Sequence, residues 1–273
     1  MALLSAAPSA ATEIGVVTVV EGSARLLRGA SWFKVLAGTR VEEADILEAA
    51  ERGQVQVEFA AGSIADLVGS GQVYIIAAPA KTAPTALQVP GGWLKVVAAP
   101  PGLRLRTLPL ELVIVDGVLV LHANGAAVEF FVESGAAKLI DAAPRPDGPA
   151  RDVKAGQYGS TSASGAVVVV AGAPIAFADA LPKHFLDALP VLAATLKAKP
   201  ALVVEREITF AEAEPWLAGR DRAVFERRFS SRLRDPAFRS AVAPNVARYP
   251  MWDRLLNPQK YAPSDAPAAA PVK

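Results

Sequence analysis

From Glu13 to Phe177 the chain is written almost entirely in period two. The stretch Gln54-Val55-Gln56-Val57-Glu58-Phe59 shows the pattern plainly, with apolar side chains at every second position and polar ones between them. Successive side chains of a strand point to opposite faces, so this spelling specifies a strand with one face in a core and the other in water. Residues 15–20, 72–76, 93–97, 110–115, 118–122, 128–132 and 167–170 read as further strands. Gly-bearing turns punctuate them at Ala61-Gly62-Ser63, Gly69-Ser70-Gly71, Asp116-Gly117, Ala123-Asn124-Gly125 and Asp147-Gly148. Many short strands with turn signals about eight to twelve residues apart build sandwiches or β-solenoid-like stacks.

One short object is spelled twice. Glu21-Gly22-Ser23-Ala24 returns as Glu133-Ser134-Gly135-Ala136, Arg25-Leu26-Leu27 as Lys138-Leu139-Ile140, and Val35-Leu36-Ala37-Gly38 as Val153-Lys154-Ala155-Gly156. A short β unit cannot cover its own apolar face, so a second unit stacks on it, and the duplication reads as architecture before it reads as a doubled ligand site. The Ala- and Pro-rich residues 77–90 read as a crossover between the two lobes.

After Leu181 the period changes. Phe185, Leu189, Leu192 and Leu196 fall on one helical face, with Pro190 as a break within it. Thr209-x-x-Glu212 has capping-box spacing, and Asp235-Pro236 is an N-cap followed by a first-turn proline. Several short helices are expected before Leu256. The expected organisation is residues 1–12 as a residual signal or disordered start and residues 13–180 as a double β module. Residues 181–261 follow as a basic helical module, and residues 262–273 as a disordered Pro/Ala tail. Charge follows the same border: residues 1–180 hold 13 Lys and Arg against 17 Asp and Glu, a net −4, and residues 181–262 hold 14 against 9, a net +5. The whole chain is close to neutral at +1, which gives no bulk charge for a nucleic-acid binder.

The string at residues 14–67, "IGVVTVVEGSARLLRGASWFKVLAGTRVEEADILEAAERGQVQVEFAAGSIADL", resembles the FecR family of bacterial envelope proteins. The carriers are the Gly-x-Val strand, the Glu-Gly-x-Ala turn, an Arg-bearing strand, Trp32, Leu36-x-Gly38 and the acidic corner at Ala44-Asp45, where the family has Gly-Asp. The later strings "LRLRTLPLELVIVDGVLVLHANGAAVEFFVESGAAKLI" and "VKAGQYGS" resemble its second half, so the likeness spans residues 14–178. The resemblance implies a FecR-like protein lacking the anti-sigma segment and the membrane span, exported to the periplasm or beyond. Such a module is expected to bind other envelope proteins as a scaffold or sensor. The opening "MALLSAAPSAATEIG" agrees, with an A-x-A-like cleavage site within residues 7–11. The uncharged residues 158–178 include Gly159, Ser160 and Pro174 and read as a buried strand with its flanks, so no transmembrane span is expected.

Chemistry is sparse. With no cysteine, thiolate metal sites and Cys nucleophiles are excluded. The two histidines, His122 at a strand exit and His184 three residues before Asp187, read as surface residues. Ser63 and Ser70 sit in turns without a strand–Gly-x-Ser-x-Gly–helix elbow, and the Glu42, Glu43 and Asp45 cluster belongs to the family corner. The expectation is a non-enzyme with no catalytic, cofactor or metal residues. For protein contact the candidates are Arg228, Arg232, Trp216, Tyr249, Trp252 and Tyr261, because Arg and aromatics dominate interface hot spots; the other reading is that several of the aromatics close a small helical core and that the basic faces dock on the acidic β region of the same chain. The expected partner is another envelope protein with an acidic surface. The alternative is a carbohydrate- or peptidoglycan-binding module, with Trp32 and Trp93 as aromatic platforms.

Overall fold

The computed structural model describes residues 13–76, 82–141, 150–162, 166–219 and 221–261. Its strands are β1 (Glu13–Glu21), β2 (Ala24–Arg28), β3 (Ser31–Lys34), β4 (Arg40–Glu42), β5 (Ile46–Ala49), β6 (Gln54–Phe59) and β7 (Ile64–Ile76). They continue as β8 (Thr85–Ala98), β9 (Leu103–Arg106), β10 (Leu110–Asn124), β11 (Ala127–Asp141), β12 (Arg151–Lys154), β13 (Gln157–Thr161), β14 (Val167–Ala171) and β15 (Val203–Glu207). The helices are α1 (Ile175–Ala180), α2 (Phe210–Leu217), α3 (Arg222–Phe229), α4 (Pro236–Val242) and α5 (Pro250–Leu256). The protein is therefore mainly β with a small helical region toward its C-terminus. Among the described residues no helix is long and apolar enough to cross a membrane.

The chain divides into two compact units, one of residues 1–28 and 32–205, the other of residues 29–31 and 206–273. In the first unit the pairings form two ladders. One runs β4, β1, β6, the first half of β7, the second half of β8, the second half of β10, the first half of β11, β13 and β14. The other runs β3, β2, β5, the second half of β7, the first half of β8, β9, the first half of β10, the second half of β11 and β12. Four long strands belong to both. Between the ladders lies one apolar core, to which the first gives Leu67, Leu94, Leu121 and Phe130 and the second Leu26, Leu47, Leu87 and Leu112, all at most 1% exposed. Each such side chain contributes about 1.5–3 kcal/mol by leaving water.

The long strands change ladder at glycines. β10 bends at Asp116-Gly117 and β11 at Ser134-Gly135, directly opposite each other. A Cβ on Gly117 would sit 2.3 Å from the Ser134 carbonyl oxygen, and one on Gly135 would sit 2.2 Å from that of Asp116, so both backbones close in where only glycine fits. Asp116-Gly117 and Gly69-Ser70-Gly71, expected to be turns between strands, are thus bends within β10 and β7. The expected crossover at residues 77–90 also reads differently. Residues 85–90 lie in β8, which pairs antiparallel with β7 from Ile76 and Ala86 onward, while residues 77–81 lie outside the described residues.

The repeat marks the same passage made twice. In the first copy β1 belongs to one ladder, β2 and β3 to the other, and β4 returns to pair with β1. In the second copy the two halves of β11 replace β1 and β2, β12 replaces β3, and β13 returns to pair with the first half of β11. Gly38 and Gly156 turn the chain back with positive φ, and each N–H donates into the strand of departure, to Val17 and Val132, both at 2.8 Å. At the acidic corner, Ala44 takes the left-handed backbone itself, with φ +67°. Asp45 there is 1% exposed and receives both arms of Arg28 at 2.9 and 2.7 Å.

Beyond β14 the helix expected from Phe185, Leu189, Leu192 and Leu196 does not form. Pro182 and Pro190 interrupt it, and the chain runs extended with 3-10 turns at Lys183–Phe185 and Ala193–Thr195. The border between compact units accordingly lies at residue 205 and not at 180, because this extended run belongs to the β unit.

The second unit is small. Thr209 caps α2 in a full capping box with Glu212, and Asp235 caps α4 by accepting from the Ala237 N–H at 2.9 Å. Its core is aromatic: Trp216, Phe225, Phe229, Phe238, Tyr249 and Trp252 are all 3% exposed or less. Within it, Phe210 meets Phe238 and Tyr249 edge-on at 5.8 and 5.9 Å.

Candidate functional site

The site lies on the outward face of the first ladder, and its rows follow from strand register. Gln56 on β6 stands beside Asp66 on β7, Asp66 beside Lys95 on β8, Lys95 beside Val120 on β10, and Val120 beside Phe131 on β11. One step along each strand the neighbouring row runs Gln54, Val68, Trp93, His122 and Glu129. The alternation of β6 therefore behaves as its spelling dictates, yet its outward side is not wet: Gln54, Gln56 and Glu58 are 7%, 0% and 6% exposed. The expected solvent face of this strand is corrected to a covered one.

The cover is a strap, residues 173–193, that meets the face with aromatic side chains at one end and main-chain groups at the other. Phe177 and Phe185 pack with Val120 and Tyr158, with Phe177 5.3 Å from Trp93 and 5.2 Å from Tyr158. Farther along, the side chains of the face bind the strap's backbone. Lys95 donates to the carbonyls of Phe185 and Asp187 at 2.6 and 3.2 Å and pairs with Glu133 at 3.0 Å. Gln56 donates to the Pro190 carbonyl at 2.9 Å and to Thr18 at 2.7 Å. Glu58 accepts the N–H groups of Leu192 and Ala193 at 2.6 and 3.1 Å. Of the strap's apolar side chains Phe177, Phe185 and Leu189 are buried, while Leu186 and Val191 are 71% and 74% exposed.

Beneath the strap the hydrogen bonding is incomplete. Asp66 is fully buried; its Oδ2 accepts from Gln54 at 2.7 Å, and Oδ1 has no partner. The amide oxygens of Gln54 and Gln56 are also without donors. Burial pushes the Asp66 carboxyl up to about 6, against the opposing pull of the Gln54 bond and of His184 and Lys95. At the aromatic end, burial first and the bond to Glu129 second push the Tyr158 phenol up to about 12. A cavity of about 240 Å³ opens between face and strap, lined by Val120, Phe131, Phe177, Leu181 and Phe185 with the single carboxylate of Glu133. Among the described residues no three His, Cys, Asp or Glu side chains converge on a point where a metal ion would sit. The arrangement holds an irregular main chain by its N–H and C=O groups.

The residues singled out from sequence fall elsewhere. Trp32 is 1% exposed with the Arg25 guanidinium 4.6 Å over its ring, so it offers no platform to a ligand. Trp93 is half-buried, stacked on His122 at 4.2 Å and flanked by Phe177. His122 is thus a packing partner, with Glu129 at 3.4 Å from its Nδ1. Trp216, Tyr249 and Trp252, expected at a contact surface, instead fill the core of the second unit beside Phe225, Phe229 and Phe238, since so small a unit needs its large rings to exclude water. Arg228 is engaged inside that unit, donating to the Gly29 carbonyl at 2.7 Å above Phe225 and Phe229. Arg232 donates to the Ile208 carbonyl and Asp235 and lies 5.5 Å over Phe238. Tyr261 is 48% exposed, its hydroxyl on Asp253 at 2.7 Å. Sequence reasoning missed Asp66, Lys95 and Glu58; the one signal available was a lone lysine inside the apolar run "WLKVV".

No family model matches the chain, and no curated protein matches it. Two crystal structures of a "putative anti-sigma factor" from Parabacteroides distasonis align with 46% of this chain at 9% identity, with TM-scores of 0.40 and 0.39. The aligned region spans 59% of that protein's length.

Proposed function

We propose that the chain is a non-enzymatic protein-binding module of the bacterial cell envelope, serving as a scaffold or sensor. One observation carries this reading. The outward face of the first ladder holds an irregular polypeptide segment, with 3-10 turns at its two ends, through that segment's main chain, using Lys95, Gln56 and Glu58. Main-chain recognition by a sheet-borne row of donors and acceptors is a mode of binding protein, not of turning over a small molecule. Export and the envelope setting rest on the FecR-like strings and the A-x-A-like opening. The carbohydrate reading loses support, because a glycan platform needs an exposed ring beside polar groups and Trp32 and Trp93 are both packed.

The test is photo-crosslinking in envelope extract of the native host. Crosslinkers replace the exposed Leu186 and Val191 on the strap and Leu255 in the second unit. Discrete protein adducts are expected from the strap positions, with no co-sedimentation with peptidoglycan. Co-sedimentation without any protein adduct would overturn the reading.

A further inference from the structure

We propose that the strap is a stand-in for the true ligand of this face, which is an extended segment of a partner protein carrying a lysine or arginine side chain, and that binding displaces the strap. The inference rests on the reading of the face as protein-binding and names what it binds. The strap's hold is general: three of the face's side chains contact five main-chain groups, and these contacts would serve any extended chain. Its side chains fit only in part: Phe177, Phe185 and Leu189 are buried, at 4%, 1% and 8% exposed, while their neighbours are not. Leu186 and Val191 stay 71% and 74% exposed, and the cavity of about 240 Å³ that Leu186 lines is left unfilled by it. An extended ligand with an apolar side chain at that point has somewhere to put it.

The orphaned atoms specify the ligand's charge. Gln54 Oε1, Gln56 Oε1 and Asp66 Oδ1 are all acceptors, in side chains at most 7% exposed, and the strap brings no donor to any of them. Buried acceptors without donors are costly, and a carboxylate oxygen is the costliest of the three. Four groups face Asp66. Lys95 on β8 stands next in the row but is committed to Glu133 and to strap carbonyls. Glu21 on β1 is like-charged and opposes ionisation, while Gln54 on β6 is neutral and already bonded to Oδ2. The remaining group is His184 on the strap itself, exposed, and within electrostatic reach of Asp66. No hydrogen bond joins His184 to Asp66, so the strap leaves the carboxylate oxygen for a longer cationic side chain to satisfy. An ammonium or guanidinium supplies several donors at once, and its bonds to a carboxylate are the strong, charge-assisted kind. The β region's net charge of −4 over residues 1–180 favours approach of a basic segment.

The chain has no cysteine, so a single introduced one carries a fluorophore cleanly. Leu186→Cys, at an exposed position, reports the strap by anisotropy in the full chain, with Val191→Cys as the second site should the first perturb folding. Two synthetic peptides are added: one copying residues 182–193, PKHFLDALPVLA, and one with lysine in place of its histidine. Both are expected to release the labelled strap saturably, the lysine peptide at about tenfold lower concentration. In the Asp66→Asn background, with folding checked by circular dichroism, that difference should vanish. Failure of either peptide to release the strap overturns the proposal, as does release at equal concentrations, or a lysine advantage that survives Asp66→Asn. Such a failure alongside protein adducts from the crosslinking experiment would leave the binding reading standing and remove only this ligand; absence of adducts as well would remove both.

Discussion

The two compact units hide side chains that their sequence would place in water, and they do so for opposite physical reasons. In the helical unit the hidden residues are chiefly aromatic and form its core, and the two carboxylates buried among them, Glu226 and Asp253, are bonded to Met251 and Arg222 and to Asn257, Lys260 and Tyr261. In the β unit the hidden residues are polar: Gln54, Gln56, Glu58, Asp66 and Lys95 on an outward face. That unit already has a core between its two ladders, so stability does not require this second burial. Aromatic burial gains by expelling water and depends little on pH or salt. Polar burial must recover hydration bond by bond, and where a bond is missing the cost persists. The comparison teaches that the first kind builds structure, while the second kind stores a demand that a ligand can meet.

The largest expected effect tests the aromatic side of this contrast. Trp252 is fully buried and its indole N–H donates to the Glu226 carbonyl at 2.7 Å. Trp252→Ala should cost about 3–5 kcal/mol and melt the helical unit, seen as early loss of helical circular dichroism on heating. If the melt moves by less than a few degrees, the aromatic cluster is not the core it is described as here.

Next in size is the polar side. Asp66 titrates near 6 in the fold against an ordinary carboxyl near 4, so the folded state holds the proton more tightly than the unfolded chain. The stabilising form is the neutral acid, and the β unit should lose stability as pH rises from about 4 to about 6, then level off, by at most about 3 kcal/mol. Asp66→Asn keeps the shape, cannot ionise and replaces one carboxylate oxygen by an N–H donor. It should flatten that pH dependence and raise stability at neutral pH. Urea titrations at successive pH values would show it, and an unchanged slope would mean that the carboxylate is already well solvated.

What the sequence made legible follows the same division. Period-two spelling gave the strands and even the facing of β6, since Gln54, Gln56 and Glu58 do point away from the core. The capping box at Thr209 and the Asp235-Pro236 start stand as spelled. What could not be read is what lies on top of an outward face, because cover comes from residues more than a hundred positions away: Glu58 binds the N–H of Leu192 at a separation of 134. Likewise Asp116-Gly117 reads equally as a turn or a bend; only the partner glycine at 135 decides it. Trp216 and Trp252 were misplaced for a related reason, since local pattern does not say whether an aromatic residue is the anchor of an interface or the filling of a small core.

A smaller effect concerns the arginines that bridge the two cases. Arg232 has a polar head, bonded to Ile208 and Asp235, and an apolar setting above Phe238. Its side chain is 16% exposed. Arg232→Ala should lower the stability of the helical unit by about 1–2 kcal/mol through the lost bonds and packing, and leave partner capture through the strap face unchanged. A loss of capture with an unchanged melt would return this arginine to the role of a contact residue.

The smallest expected effect sets a second carboxylate against Asp66. Glu212 lies near the surface at the start of α2, where its side chain is 25% exposed. Arg206 bonds hold its pKa down, with help from the Thr209 N–H and hydroxyl, to about 2 despite some desolvation. Here the charged form is the stabilising one, so the sign reverses. The contribution is present above the ordinary carboxyl range and is lost as pH falls from about 4.5 toward 2. Solvent screening keeps it near 1 kcal/mol, the size of an ordinary helix cap. Thr209→Ala removes the cap's other half and should cost a similar amount at neutral pH, and less at pH 2, where Glu212 no longer reaches back as a full carboxylate. The two units should therefore respond to acid in opposite directions, the β unit gaining stability as pH falls through 6 to 4 and the helical unit losing it below that. Monitoring strand and helix signals separately through one acid titration would reveal the crossing. If both units weaken together on acidification, Asp66 is not protonated beneath the strap, and the contrast between a satisfied exposed carboxylate and an unsatisfied buried one fails at its buried end.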